Sequence, residues 1–489
     1  MKKRIFLFAM LFVLGISFQG CEDLDDTVSD FPIQNFIWKG MNLYYLWKAD
    51  VPDLADNKYP KQIDLNNFLI SKPSPEILFQ DLLYKPISKF PTGSVDRFSV
   101  LVNDYSVLEN LFQGITTNNG VDFGLRYKSG NSGPIFGWIR YIIPNSDAST
   151  KNIQRGDIFY AINGTTLTAE NYRTLLANET YTLNFANFDN GNITPNGQSL
   201  SLTKSILTEN PVFYNQIIPL GTKKVGYLVY NGFTSNFDTQ LNQAFGTLKA
   251  GGATHLVLDL RYNSGGSIQT AAFLASMITG QFTAQVFAKQ QWNAEIQSFF
   301  EANNPQQLVN NFTNSLANGI SINSLNLTKV YVLTTRSSAS ASELLINGLK
   351  PYINVIQIGD LTTGKNVGSI TLYDSPNFRK ENRSASHKYA MQPLVLKIVN
   401  KSGFGEYQDG LVPTIELKEN LGNLSQLGNV NEPLLSTALG HILANGRMMF
   451  RSPIKDFTEI IDSKSMNPFG TDMYLSNFNP EILKGLISY

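Results

Sequence analysis

The sequence predicts a mixed α/β fold in which buried strands alternate with helices. Apolar runs at Val225–Tyr230 and Leu256–Leu260 read as strands, and helical patterns follow each of them at Phe237–Leu248 and Ile268–Ile278. The run Val330–Thr335 shows no polar alternation, which is typical of a strand covered on both faces. Alternating strands and helices indicate an α/β layer arrangement. With 489 residues, the chain is long enough for two or three domains.

Composition narrows the classes of function. The chain has 39 basic and 39 acidic residues, so no excess of positive charge favours nucleic-acid binding. Cys21 is the single cysteine, which excludes an internal disulfide and any site built from several cysteines. The three histidines have no spacing typical of a metal site. We therefore predict neither a metal ion nor a cofactor.

A small-residue turn, Arg336–Glu343, lies between the strand Val330–Thr335 and an apolar helical pattern. It presents Ser340, and Lys365 follows 365 − 340 = 25 residues later. A serine hydroxyl is a weak nucleophile until a base takes its proton. Free lysine has a pKa of about 10.4, and burial in an apolar pocket lowers a lysine pKa toward the range of a general base. A serine and a lysine at this spacing are, taken alone, more often unrelated surface residues.

Ser340-Ala341-Ser342-Glu343 together with Gly364-Lys365 resembles the C-terminal processing, or tail-specific, peptidases, which use a serine–lysine dyad. The resemblance implies that Ser340 is the nucleophile, Lys365 the general base and the N–H of Ala341 one oxyanion donor. It also implies a second donor after an upstream strand, where the chain has the pair Gly265 and Gly266.

Two further residues are expected to support this site. Glu343, in the first turn of the predicted helix, is expected to tune the site and not to react. The bacterial enzymes usually carry a glutamine four residues after the lysine, where this chain has Ser369. We expect the Ser369 hydroxyl to replace that glutamine in orienting the amine, although the difference also raises the alternative of an impaired enzyme.

The resemblance also implies the architecture. It predicts a crotonase/Clp-like peptidase core over residues 208–449, a PDZ-like β-rich domain over 115–207 and a small helical N-terminal domain over 31–114. Near the end of the helical domain, Asp96–Ser99 resembles the segment that precedes the peptide-binding domain, with an ordinary turn as the alternative. Residues 450–489 have no predicted role.

Two motifs point to the PDZ-like domain. Val121–Arg126 resembles a carboxylate-binding loop and its following strand, which makes Phe123, Gly124 and Leu125 candidate peptide-binding residues. Arg155–Gly164 resembles the hairpin of that family. Such domains bind a free C-terminus by strand addition. The alternative is an inert β-rich spacer.

The N-terminus has the pattern of a bacterial lipoprotein signal. A basic start is followed by the apolar run Ile5–Phe18, which is too short to span a bilayer and is typical of a secretory signal. Phe18–Cys21 resembles a lipobox, so we expect a signal peptide over 1–20, lipidation of Cys21 and an acidic tether over 21–30. The expected location is the cell envelope, anchored to the outer membrane.

These features predict a lipid-anchored serine endopeptidase that cleaves envelope or secreted polypeptides at or near their free C-termini. Two alternatives remain open. One is a peptide-binding lipoprotein of the same fold whose catalysis is impaired. The other is acyl-CoA chemistry on a crotonase-like core, against which the secretion signal and the peptide-binding motifs argue.

Overall fold

The computed structural model describes residues 31–189, 191–444, 457–467, 469–476 and 478–483. The signal peptide, Cys21 and the acidic tether predicted over residues 1–30 lie outside the described residues. Within those ranges, none of the helices combines the length and the apolar character that crossing a membrane requires.

The described chain begins with a compact set of helices. Its elements are α1 (Pro32–Tyr44), α2 (Gln62–Ile70), α3 (Pro75–Asp81), β1 (Val100–Val102) and α4 (Tyr105–Phe112). Helix α3 begins after Ser74, whose Oγ accepts the N–H of Ile77 at 3.3 Å, with proline at its first position. This confirms the capped helix that Ser74-Pro75 predicts. Strand β1 leads the chain from these helices toward the core.

A β-rich module follows. Its elements are β2 (Ile115–Asn118), β3 (Val121–Tyr127), β4 (Ile135–Ile142), β5 (Ile158–Ile162), β6 (Thr165–Thr166), α5 (Tyr172–Ala177), β7 (Thr180–Asp189), β8 (Asn192–Thr203) and β9 (Ser205–Thr208). Strands β3, β4, β5, β7 and β8 are neighbours in one antiparallel sheet. The turn between β5 and β6 is Asn163-Gly164, with both residues at positive φ, as expected of a two-residue hairpin. The module has its own apolar core around Leu125, Ile139 and Phe159.

The core contains two six-stranded sheets. Its elements are β10 (Val212–Leu220), β11 (Lys223–Tyr230), α6 (Asp238–Ala250), β12 (His255–Asp259), β13 (Gly266–Ser267), α7 (Ile268–Thr279), β14 (Val286–Trp292), α8 (Ala294–Asn303), β15 (Val309–Asn311), β16 (Lys329–Thr334), α9 (Ala341–Leu349), β17 (Asn354–Gly359), β18 (Val367–Ser369), β19 (Leu372–Tyr373), β20 (Ala390–Gln392), β21 (Leu394–Asn400), β22 (Ile415–Glu416) and α10 (Pro433–Leu443). The first sheet has the order β10-β11-β12-β16-β17-β22. Strands β11, β12, β16, β17 and β22 run parallel, which confirms the α/β arrangement predicted from the apolar runs.

The C-terminal extension adds two strands, β23 (Glu459–Asp462) and β24 (Met473–Tyr474). Strand β23 pairs antiparallel with β3 and extends the sheet of the β-rich module. Strand β24 lies between β13 and β18 in the second core sheet, whose order is β13-β24-β18-β21-β14-β15. The extension, for which the sequence predicted no role, therefore contributes a strand to both parts of the molecule.

A buried ionic cluster joins the β-rich module to the core. Arg155, between β4 and β5, donates to Glu419 at 2.6 Å. Arg261, just after β12, donates to the same oxygen at 3.1 Å and to Glu432 at 2.8 Å. Tyr262 also donates to Glu419, at 2.5 Å. Because removal of one partner from a buried ion pair typically costs about 3–5 kcal/mol, this cluster fixes the module against the core.

Stability should decrease in acid because of Glu419. Burial alone would raise the pKa of this carboxyl, but Arg155 and Arg261 lower it to about 2, from an ordinary value of 4.5. A folded-state pKa below the unfolded one gives stability that is present above the unfolded pKa and is lost as pH falls toward the folded pKa. At about 1.4 kcal/mol per pKa unit, the free energy of unfolding should fall by roughly 3 kcal/mol over that interval. Denaturant unfolding at a series of pH values measures this decrease. If the free energy of unfolding depended on pH in the same way in Glu419→Gln, Glu419 would not be the source of the decrease.

Candidate active site

Ser340 lies directly before α9 in a strained backbone conformation. Its φ is +63°, which is uncommon for a residue with a side chain. The residue is fully buried, and its Oγ has no hydrogen-bond partner among the described residues. Residues held in such conformations cluster at active sites, where the surrounding structure imposes them. The turn thus presents an unpaired hydroxyl at the N-terminal end of a helix.

Glu343 connects the Ser340 turn to the loop that carries Lys365. One carboxylate oxygen accepts the N–H groups of Ser340 at 2.7 Å and Lys365 at 2.8 Å. The other accepts the N–H of Gly364 at 2.7 Å and the hydroxyl of Thr362. Burial raises the pKa of Glu343 above its ordinary value, against the opposing effect of these donors. All four hydrogen bonds hold neighbouring groups in place, as expected if Glu343 supports the site and does not react.

Lys365 is fully buried beside the Ser340 turn, but its amine is paired with a carboxylate. The Lys365 Nζ donates to Asp472 Oδ1 at 2.6 Å and lies 4.5 Å from the centre of the Phe98 ring. Burial raises the pKa of Asp472, and the neighbouring Lys365 opposes that shift. The ion pair differs from the expected contact between the amine and Ser340.

The segment Asp96–Ser99 packs against the lysine loop. Arg97 Nη2 donates to the carbonyl oxygen of Gly364 at 2.5 Å and to that of Gln408 at 3.0 Å. Asp96 accepts the hydroxyl of Tyr45 at 2.7 Å, and Phe98 covers the lysine amine. The segment therefore contacts both the loop and the side chain of Lys365.

The glycine pair lies against the nucleophile. Gly265 and Gly266 have φ values of +117° and +131°, and a Cβ added at Gly265 would stand 2.6 Å from Ser340 Oγ. The N–H of Gly265 donates to Asn263 Oδ1 at 3.0 Å in this conformation, so one of the two glycines predicted to supply the second oxyanion donor already has an acceptor. Gly266 remains as the candidate from this pair. Ala341 opens α9, and the helix itself provides no acceptor for the N–H groups of its first turn.

Asn263 is a positioning residue that the sequence did not single out. It is fully buried, and its main-chain carbonyl accepts the N–H of Ala339 at 3.1 Å and the hydroxyl of Ser342 at 3.0 Å. Its side chain also binds Gly265, as described above. Asn263 therefore holds the glycine pair and the Ser340 turn in one arrangement. An asparagine two residues before the pair is the only signal the sequence offered.

Ser369 does not perform the expected role here. Its hydroxyl donates to Gln392 Oε1 at 2.8 Å and also contacts the carbonyl oxygen of Met473 at 3.2 Å. The prediction that it orients the Lys365 amine is wrong for this conformation, because β18 directs the hydroxyl toward the neighbouring strands β20 and β24.

The predicted peptide-binding residues lie on β3, at a sheet edge that β23 occupies. Gly124 pairs with Asp462 and Leu125 with Ile461, while the carbonyl oxygen of Phe123 accepts the N–H of Ser463 at 2.9 Å. Sequence reasoning singled out neither the β23 residues at this edge nor Asp472 beside Lys365.

Within the described ranges, no group of three or more His, Cys, Asp or Glu side chains could hold a metal ion.

The fold and these residues support a serine-type peptidase, and the comparisons with known proteins agree. Residues 224–398 match the model of peptidase family S41, and residues 32–100 match that of the peptidase S41 N-terminal domain. The matched ranges include Ser340 and Lys365 and exclude Asp472. The family models and the homologues support assignment of this chain to peptidase family S41.

Two curated relatives and one solved structure show the extent of the similarity. The chain is 31% identical over 179 residues to the chloroplastic C-terminal processing peptidase of Tetradesmus obliquus, an alignment covering 35% of this chain and 34% of the relative. It is 27% identical over 168 residues to the carboxyl-terminal-processing protease of Picosynechococcus sp., covering 34% of this chain and 35% of the relative. The chain thus spans about a third of the length of these relatives. The crystal structure of a candidate S41 protease from Bacteroides fragilis superposes with a TM-score of 0.63 at 27% identity, covering 84% of this chain and 97% of that one.

Proposed function

We propose that this protein is a lipid-anchored serine endopeptidase that cleaves envelope or secreted polypeptides at or near their C-terminal tails. The observation that carries the proposal is the buried, unpaired Ser340 hydroxyl on a strained turn, which Glu343 ties directly to the Lys365 loop. A buried unpaired hydroxyl is costly for stability and is explained when the group reacts.

In the proposed reaction, Ser340 Oγ attacks the scissile carbonyl carbon while an uncharged Lys365 amine accepts the hydroxyl proton. The negative carbonyl oxygen is stabilised by the N–H groups of Ala341 and Gly266. Lys365 then gives its proton to the leaving amine, and the C–N bond breaks to leave an acyl-enzyme. A water molecule, deprotonated by the same lysine, then attacks the acyl carbon. The bond between that carbon and Ser340 Oγ breaks, and the lysine returns the proton to Oγ. The cycle requires Lys365 to leave Asp472.

Substrate selection is assigned to the β-rich module. The β3 edge, which β23 occupies in this structure, has the main-chain groups that strand addition uses, the mode in which PDZ-like domains bind a free C-terminus. Phe123, Gly124 and Leu125 on this strand are the proposed contacts. The envelope location and the anchor at Cys21 rest on the N-terminal sequence pattern.

A second candidate is a peptide-binding lipoprotein without catalysis. Two observations favour it: the Lys365–Asp472 ion pair, and the lack of a hydrogen-bonded base on Ser340 Oγ within the part of the chain that the structure describes. Both candidates use the same β3 edge, so binding alone does not separate them.

The test is incubation with an unfolded protein that ends in an apolar tail, followed by mass spectrometry of the products. The wild type should cut it, and the same protein with a charged tail should be cut more slowly because the tail selects the substrate. Ser340→Ala serves as the matched control and should trap the uncut tail. No products from either protein would contradict a peptidase and leave the binding protein. Equal products from wild type and Ser340→Ala would show that Ser340 is not the nucleophile.

A further inference from the structure

The C-terminal extension occupies both places where a substrate peptide would bind. We call its described residues 457–467 and 469–476 the tail segment. At its first contact, β23 adds to the β3 edge, with the N–H of Tyr127 donating to the Thr458 carbonyl at 3.0 Å. Ile460, Ile461 and Met466 pack on the apolar core of the β-rich module. An extended strand with side chains in adjoining apolar space is how peptides bind by strand addition.

Arg140, on β4, is the charged side chain that contacts β23. It is buried, and it donates to Glu459 Oε1 at 2.9 Å and lies 3.1 Å from Asp462 Oδ2. The same guanidinium donates to Ser337 Oγ at 2.8 Å, three residues before the nucleophile. Ser337 in turn donates to Asp462 at 2.7 Å. Arg140 therefore contacts two carboxylates of the tail segment and also the turn that carries Ser340.

At its second contact, the tail segment enters the candidate active site. Strand β24 lies between β13, which contains Gly266, and β18, which follows Lys365. Asp472, directly before β24, holds the Lys365 amine at 2.6 Å. Ser476 Oγ donates to Ser267 Oγ at 2.8 Å, next to the glycine pair.

A cavity of about 480 Å³ lies between these two contacts. The glycine pair lines one side of it, and Lys464, Phe469 and Asp472 of the tail segment line another. The tail segment thus leaves open space beside Gly266, one of the two proposed oxyanion donors, while it fills the strand positions on either side. A peptide that paired with β3, or that lay between β13 and β18, would need the positions that β23 and β24 occupy.

We propose that the tail segment is an inhibitory strand, which holds the peptidase in a resting state and is displaced by the substrate polypeptide. This inference rests on the proposed function. In the resting state Asp472 holds the Lys365 amine in an ion pair and so away from Ser340, and β23 fills the strand-addition edge. A substrate that pairs with β3 competes with β23, and departure of Asp472 then frees the amine.

The alternative is that Asp472 is a positioning residue that orients Lys365 during catalysis. The two roles predict changes of kcat/KM in opposite directions when the charge of Asp472 is removed. Asp472→Asn keeps the shape and removes the charge. Inhibition predicts an increase in kcat/KM of at least about tenfold, which corresponds to about 1.4 kcal/mol. Asp50→Asn, at an exposed carboxylate of the N-terminal helices, is the matched control and should leave kcat/KM unchanged. A decrease in Asp472→Asn would overturn the proposal.

A reversible cross-link gives a second test in the full-length chain. Ser267→Cys with Ser476→Cys, in a Cys21→Ser background, places two thiols where the hydroxyl oxygens are 2.8 Å apart. Oxidation should fix the tail segment in the cleft and abolish cleavage, and a reducing agent should restore it. The two single-cysteine variants should respond to neither treatment. An oxidised double variant that cleaves as fast as the reduced one would overturn the proposal.

Hydrogen exchange separates this inference from the proposed function because it needs no chemistry. In Ser340→Ala, an added unfolded polypeptide should displace the tail segment. The amides of β23 and β24 then lose their strand pairing and should exchange faster. Unchanged protection while the polypeptide is bound would overturn the inhibitory strand. Loss of cleavage in every variant, with the exchange increase present, would reject the peptidase function alone and retain displacement of the tail segment.

Discussion

Ser340→Ala is expected to lower kcat by roughly 10⁵–10⁶, because the variant lacks the atom that attacks the carbonyl carbon. Residual turnover would come only from binding and from the oxyanion donors. The same change should leave the fold intact or slightly more stable, since it removes a buried hydroxyl with no hydrogen-bond partner among the described residues. Steady-state cleavage kinetics and denaturant unfolding measure the two effects. Cleavage that persists in the variant would show that another group is the nucleophile.

Lys365→Arg is expected to abolish cleavage while preserving the ion pair with Asp472. A guanidinium remains protonated at neutral pH, so it can pair with the carboxylate but cannot accept the Ser340 proton. We expect kcat to fall by about 10⁴ or more, the scale of losing a general base that acts with a nucleophile. Cleavage surviving in this variant would rule out the lysine mechanism.

The matched variant for that experiment is Lys365→Met. It also removes the base, but it leaves the buried Asp472 carboxylate unpaired, which typically costs about 3–5 kcal/mol. Loss of activity in both variants, with loss of stability only in Lys365→Met, would separate the chemical role of the amine from its structural one. Equal destabilisation of the two variants would mean that the arginine does not retain the ion pair.

The sequence predicts the parts of the fold that local patterns encode. The strand Val330–Thr335 and the turn before Ala341 are recognisable because apolar runs, small residues and a helical pattern follow one another directly. The structure places them as β16 and α9, with Ser340 between them. The helix predicted over Ile268–Ile278 is likewise confirmed as α7, Ile268–Thr279. These elements depend on neighbours within a few residues, which one sequence displays.

The contacts that decide the state of the site depend on residues far apart in the chain. Asp472 reaches Lys365 across 107 residues, and Arg140 reaches Glu459 across 319. No local pattern marks either carboxylate, so the C-terminal extension had no predicted role. The error at Ser369 has the same origin, because the pairing of β18 with its neighbours sets the direction of that hydroxyl.

The Glu343 carboxylate limits which movements can bring the Lys365 amine to Ser340. Because it accepts hydrogen bonds from the main chain at both Ser340 and Lys365, it holds the two backbone segments together through one side chain. Movement of the amine toward the serine is therefore left to rotations of the four-carbon lysine stem, and rotamer changes take picoseconds to nanoseconds where they are unhindered. Departure of a hydrogen-bonded strand is slower by orders of magnitude, so the kinetics of switching on would report the strand and not the dyad.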